Sequence, residues 1–361
     1  MTESLEEYYS QKYSSCNLEY SFSASWQGLA YPSHVIKSIA IPIKALTVYI
    51  IIKRTPNHMK SLSIPLLVCH ICCTILNLLF CTLATPYIFL RSLSGFGVGL
   101  FSWMGVPFKI QMIFGFFMLV VCTCSFIYLF ENRSSTLQGN RFRITRIPSK
   151  VAYHGIVLAL NCPIFYIFFK SPENQETAKL KVLEFDPCPT EEFFLSDVFV
   201  ISTDKDLITL YVWGIGPFFL FNSVGHLIYH SFLTIYYLYI VPSKLISVQT
   251  QKMQRQFFIG IVFQTGIPLV FVGVPAGMAV VIYLTNCSCQ GLVNSAILCL
   301  ELHGLASSVT ILLAYNVYRK SISDIFRIFS SSRNTGSLRI SPVRLAKQTN
   351  SSNNNPAEVG R

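Results

Sequence analysis

The stretch IQMIFGFFMLVVCTCSFIYLFENR, Ile110 to Arg133, decides how this chain is read. Its first twenty-one residues, Ile110 to Phe130, carry no charge, and as a helix they are long enough to cross the roughly 30 Å hydrocarbon core of a bilayer. The run ends on an acid and a base, Glu131 and Arg133, separated by Asn132. From there to Lys150 the chain carries Arg133, Arg141, Arg143, Arg146 and Lys150 against the single acid Glu131. That excess marks the face of a membrane that retains positive charge, the cytoplasmic one.

Composition agrees with a membrane-embedded chain. Of 361 residues 52% are hydrophobic and only 12% charged, where soluble domains carry about a quarter charged. The net charge of +11 does not point to nucleic acid, because the bases sit in short segments between uncharged runs and no DNA or RNA module is visible. Met1 to Pro32 holds four acids, one lysine and no apolar core, so it lacks the features of a cleaved signal peptide and the first span acts as its own insertion signal.

Working outward from Ile110, runs long enough to span occur at 33–52, 62–85, 110–130 (with Pro107 leading in, from about 106), 151–169, 207–241, 257–284 and 291–315. The expectation is an all-α membrane protein, a seven-transmembrane helix bundle, with an N-terminal tail over 1–32. The fifth run is too long for one untilted crossing and too short for two, and is read as one projecting helix. Segments assigned outside hold 7 Lys and Arg, those assigned inside hold 19, which puts the N-terminus outside and the C-terminus in the cytoplasm. The glycine-containing segment 86–109 reads as a loop rather than an eighth span. Prolines 42, 65, 163, 217, 268 and 275 fall inside spans, and the Gly-Pro pairs make the sixth the most breakable.

Charges inside spans cost several kcal/mol unless paired or hydrated. Lys37 is near enough to the outer end to snorkel. Lys44 lies roughly 16 Å deep and Glu301 roughly 15 Å from the same face, so an ion pair between them is expected if the first and last helices are neighbours, either structural or also touching a ligand. Lys109 would sit near the outer mouth. Lys44, Lys109 and Glu301 are therefore the candidate pocket residues, and counting Lys37 the three cationic groups against one acid favour an anionic or carbonyl-bearing small molecule.

Four of twelve cysteines lie outside spans, Cys16, Cys188, Cys287 and Cys289, in an oxidising compartment. Three full pairings are open to them; Cys16 is the distant partner preferred for Cys188, while Cys287 and Cys289 look elsewhere or stay free. His226 and His230 have the i, i+4 spacing of metal ligands but no third ligand, and are read as an interfacial pair with no metal. No cofactor or hydrolytic motif is present, so an enzyme is not expected. The sequons at Asn132, Asn286 and Asn350 are expected to escape heavy glycosylation. Past the last span, Ile322, Ile325, Phe326 and Phe329 recur at helical spacing among bases, which reads as an amphipathic helix on the inner leaflet over 316–330, followed by a disordered tail, 331–361.

The run Pro42 to Lys60, Phe130-Glu131-Asn132-Arg133, Asp186-Pro187-Cys188-Pro189 and Leu302-His303-Gly304 together resemble the nematode serpentine receptor class H chemoreceptors, over nearly all seven spans. The resemblance implies a G-protein-coupled chemosensory receptor for small molecules, at the plasma membrane of sensory neurons and in cilia. Glu131, Asn132 and Arg133 then take the place where a heterotrimeric G protein docks, although the order Glu, Asn, Arg departs from the acid-Arg-aromatic motif of rhodopsin-like receptors. The chain also lacks their Asn-Pro-x-x-Tyr and a Cys at the outer end of the third span, which further favours Cys16 for Cys188. The competing classes, a ligand-gated channel of inverted seven-span topology or a transporter, call for an inside N-terminus or for internal repeats.

Overall fold

A computed structural model describes residues 4–16, 19–56, 60–241, 247–285 and 289–335. Seven helices in it are long and apolar enough to cross a membrane: Trp26–Arg54, Leu62–Leu83, Phe108–Ser135, Ile147–Phe169, Lys205–Ile240, Val248–Ile282 and Gln290–Ala314. These are the first to seventh spans below. Their polar backbone groups are satisfied along each helix, which is what hydrocarbon demands of a crossing segment.

Several helices outrun their uncharged cores. The first starts at Trp26 rather than residue 33, because Ser25 accepts the Gly28 amide at 3.2 Å as an N-cap, and Pro32 lies inside it. The third does not stop at Phe130 but carries Glu131, Asn132 and Arg133 and ends at Ser135. The sixth, the most breakable by sequence, is one helix from Val248 to Thr285 with both of its prolines inside. Departures from regular helix occur elsewhere. A 3₁₀ turn, Cys162–Phe165, surrounds Pro163 in the fourth span. A π turn, Tyr211–Ile215, widens the fifth just before Pro217, where the proline ring crowds the preceding turn. A helix Asn316–Thr335 follows the seventh span; the side chains of Phe326 and Phe329, and residues 336–361, lie outside what is described.

In the bundle the sixth span packs on the seventh, the second on the third, the first on the seventh and the third on the fifth. The adjacency of first and last helices, needed for Lys44 and Glu301 to approach, is present.

One end of the bundle is covered by a cap. Segment 86–109 contributes two strands, β1 (Pro86–Phe89) and β2 (Ser94–Gly97), paired antiparallel with Tyr87 opposite Phe96. β2 also pairs with β3 (Phe199–Val200), from the loop before the fifth span. Gly95 is required here, since a Cβ would fall 2.4 Å from the backbone carbonyl oxygen of Tyr87 on the paired strand. The loop between fourth and fifth spans adds the helix Gln175–Phe185. Together they bury Tyr87, Phe89, Phe96, Val182, Phe193 and Val200 against Val293 and Ile297 of the seventh span.

The N-terminal helix Leu5–Gln11 lies over this cap. Tyr8 and Tyr13 donate to the carbonyls of Pro187 and Pro189 at 3.2 and 3.0 Å, and the rings of Tyr9 and Tyr13 pack on Phe194. Burial and the nearby carboxylate of Glu191 push the Tyr13 hydroxyl up to about 12, so it stays a donor. A disulfide joins Cys16 to Cys188, with Cα atoms 5.7 Å apart. Cys289 is also disulfide-bonded, not a free thiol, and Cys287 lies outside the described residues.

The bridge closes a loop of 172 residues. Cys16→Ser should lower the unfolding free energy of the purified protein by about 2–5 kcal/mol. Cys188→Ser should cost the same and the double variant no more than either, as read by thermal unfolding in lipid nanodiscs; additive losses would mean that the two sulfurs act separately.

Candidate functional site

Two polar clusters occupy the bundle interior, one nearer the cap and one at the Arg133 end. The first is built from three spans. Lys44 of the first span is buried, and its ammonium donates to Oδ1 of Asn77 in the second. The Asn77 amide in turn donates to the backbone carbonyl of Glu301 in the seventh. The Glu301 carboxylate, itself fully buried, accepts from Ser33 Oγ at 3.0 Å through Oε1. Among the described residues its Oε2 has no N or O hydrogen-bond partner, with the Cys81 thiol beside the carboxylate. The expected Lys44–Glu301 ion pair is thus replaced by a bridge through a neutral amide. Asn77 serves because it presents an acceptor to the ammonium and a donor to the carbonyl at once. Room for it comes from Gly304, where a Cβ would fall 2.7 Å from Asn77 Cβ.

Lys109 does not join this cluster. Its ammonium donates to Ser171 Oγ at 2.8 Å, tying the start of the third span to the end of the fourth. Among the described residues, a narrow crevice lies under the cap, lined by Phe89, Arg91, Asp186, Ile282, Gln290 and Val293 among others, with Arg91 and Asp186 paired at 3.3 Å across it. Another lies between Leu66, Leu129, Phe257, Ile261 and Tyr315.

At the Arg133 end the acid and base of the opening motif part company. Two residues apart on a helix point roughly 200° apart, so Glu131 and Arg133 face different neighbours. Arg133 is 3% exposed, and its Nη2 donates to the Gln254 carbonyl of the sixth span at 2.7 Å. Its Nε has no acceptor. Arg255, one residue past that carbonyl, donates to Leu238 at the end of the fifth span and stacks over Tyr239 at 4.6 Å. Glu131 turns to the fourth span, with Lys150 Nζ and His154 Nε2 each 3.6 Å from its oxygens and Ser135 Oγ donating at 2.7 Å. Asn132, between them, is half-buried.

Sequence reasoning singled out Lys44, Glu301, Glu131 and Arg133, and missed the partners they meet: Ser33, Asn77, Ser135, Lys150, His154 and the Gln254 carbonyl. Depth matching could find Lys44 and Glu301 because charge in an apolar run is conspicuous. A lone amide or hydroxyl in the same run is not.

Removing the bridge while leaving the buried ammonium should be costly. Asn77→Ala is expected to destabilise the bundle by about 3–5 kcal/mol, whereas Lys44→Met combined with Asn77→Leu should cost less than Asn77→Ala alone. Detergent thermostability of the three proteins decides it; equal losses would show that the amide carries the packing and not the charge.

A family model described as serpentine type 7TM GPCR chemoreceptor Srh matches residues 24–328 of this chain. The chain is 31% identical over 332 residues to serpentine receptor class H-72 of Caenorhabditis elegans, covering 90% of this chain and 93% of the relative. No solved structure matches it.

Proposed function

Given that the chain belongs to the Srh family of serpentine seven-transmembrane chemoreceptors, we propose that it binds a small molecule from the outer side and signals to a heterotrimeric G protein within the cell. Its place is the plasma membrane, including the ciliary membrane of sensory neurons. The charge distribution, 7 basic residues on one side against 19 on the other, supports an outside N-terminus. The cap and its disulfide then face the oxidising exterior, and the Arg133 end faces the cytoplasm.

The observation that carries this reading is the seat of Arg133. A guanidinium in that position has five donors in a fixed fork, and here one of them holds a backbone carbonyl of the sixth span. The arrangement is a closed one: a partner cannot reach Arg133 while the sixth span covers it. A ligand that binds better to a form with the sixth span moved away shifts the population toward that form, by no more than its difference in affinity for the two. Arg133 is then free to donate to carbonyls of the G protein, with Glu131 held aside by Lys150 and His154 and Asn132 beside both. On the outer side Lys44, Glu301 and Lys109 supply polar contacts in or above the pocket. Glu301 Oε2, with no N or O partner among the described residues, gives a ligand or a water an acceptor there. No chemistry on a substrate is required of any of these groups.

The test is a cell line carrying epitope tags at both termini and a G-protein activation readout, screened with odorants and metabolites. The N-terminal tag should stain without permeabilisation. Arg133→Ala, at equal surface level, should reduce ligand-evoked activation at least tenfold. An inside N-terminus, or ligand-evoked current that needs no G protein, would replace this reading with a channel.

A further inference from the structure

The histidine pair His226 and His230 plays no part in the reading above, yet the structure gives it a defined environment between the third, fourth and fifth spans. Both rings turn onto one hydroxyl. Tyr153 Oη lies 2.7 Å from His226 Nδ1 and 2.8 Å from His230 Nε2. The other ring nitrogen of His230, Nδ1, lies 2.9 Å from Ser134 Oγ, which is also 2.9 Å from the Glu131 backbone carbonyl.

Counting protons along this chain fixes its polarity. A carbonyl only accepts, so the single Ser134 proton goes to Glu131 O. His230 Nδ1 must then carry hydrogen and donate to Ser134. In the neutral ring His230 Nε2 is left with a lone pair and takes the Tyr153 proton. Tyr153 Oη has no second hydrogen, so His226 Nδ1 must supply one to it. Both histidines are therefore neutral with hydrogen on Nδ1, and His226 Nε2 ends the chain as a free lone pair.

We propose that His226, Tyr153 and His230 form a buried binding site for one proton, which rests on either histidine. The proton enters at the Nε2 lone pair of half-buried His226. The His226 Nδ1–H bond then breaks as hydrogen passes to Tyr153 Oη, while the former Tyr153 hydrogen passes to His230 Nε2. His230 becomes the imidazolium, donating to Tyr153 and Ser134. His226 becomes neutral with hydrogen on Nε2, and its Nδ1 accepts from Tyr153. Every hydrogen bond survives and no heavy atom moves.

The surrounding charges permit this. The fourth span presents Lys150 and His154 and the third presents Glu131, which holds both at 3.6 Å. Tyr128 and Tyr153 stack edge-on to His154, and Tyr229 to His230. Arg133 faces the sixth span instead. The Glu131 carboxylate is the acid on this side; it already pairs with Lys150, and its field favours one added proton while burial and His154 oppose a second.

The experiment uses the full chain with ¹⁵N-labelled histidine in phosphatidylcholine nanodiscs, without ligand or G protein, so its outcome is independent of the coupling reading. His226→Gln and His230→Gln assign the signals. At pH 8.5 both rings should show the Nδ1–H tautomer, opposite to the preference of the histidine side chain in water. Between pH 8.5 and 5 the two signals should move together with one shared midpoint, and Tyr153→Phe should separate their midpoints by at least half a pH unit. An Nε2–H tautomer at His230, no titration down to pH 5, or two independent titrations in the wild-type protein would overturn the proposal. The wild-type tautomers decide it even where Tyr153→Phe fails to fold.

Discussion

A lysine ammonium cannot be left in hydrocarbon without a partner, and around Lys44 that constraint organises half the bundle. Lys44 belongs to the first span, its acceptor Asn77 to the second, and the carbonyl and carboxylate of Glu301 to the seventh. Three helices distant in sequence are thereby tied at one depth by groups that would each be expensive alone. Lipid gives little hydrophobic drive to helix association, so polar contacts and close approach decide which helices meet. The contact of Gly304 with Asn77 supplies the close approach at the same spot.

The Arg133 end obeys the same rule with a different outcome. Glu131 joins the third and fourth spans through three side chains, Ser135, Lys150 and His154. Arg133 is held by one carbonyl of the sixth span, and its Nε is unmet. One end of the motif is thus fastened and the other only leaned on. The proposed ligand-driven change of shape would use that asymmetry, because elements joined through several ion pairs and hydrogen bonds do not part for the few kcal/mol a small ligand supplies.

The number of spans was legible in the sequence because uncharged runs of twenty residues have few other uses. Their ends were not. Trp26 to Pro32, Glu131 to Ser135 and Val248 to Gln256 are helical although polar residues and a proline suggest otherwise, since caps and headgroup-level water tolerate polarity that the hydrocarbon does not. Segment 86–109 was read correctly as no span. Its strands were hidden because they draw on residues 199 and 200, a hundred positions away. Lys44 and Glu301 were found by depth, yet their mediator is neutral and left no trace. That Glu131 and Arg133 point apart follows from helical pitch alone; that they reach Lys150, His154 and Gln254 does not.

The Cys16–Cys188 bridge also bears on how the protein is made. In the proposed orientation, Cys16 enters the oxidising lumen first and waits there while 172 residues are synthesised, roughly ten to thirty seconds at ordinary ribosomal rates. Every cysteine between the two, from Cys69 to Cys162, lies in a span and is withheld from lumenal thiol chemistry. Cys188 is therefore the first thiol that Cys16 meets, and Cys287 and Cys289 emerge about a hundred residues later. The order of translocation thus favours one pairing among three.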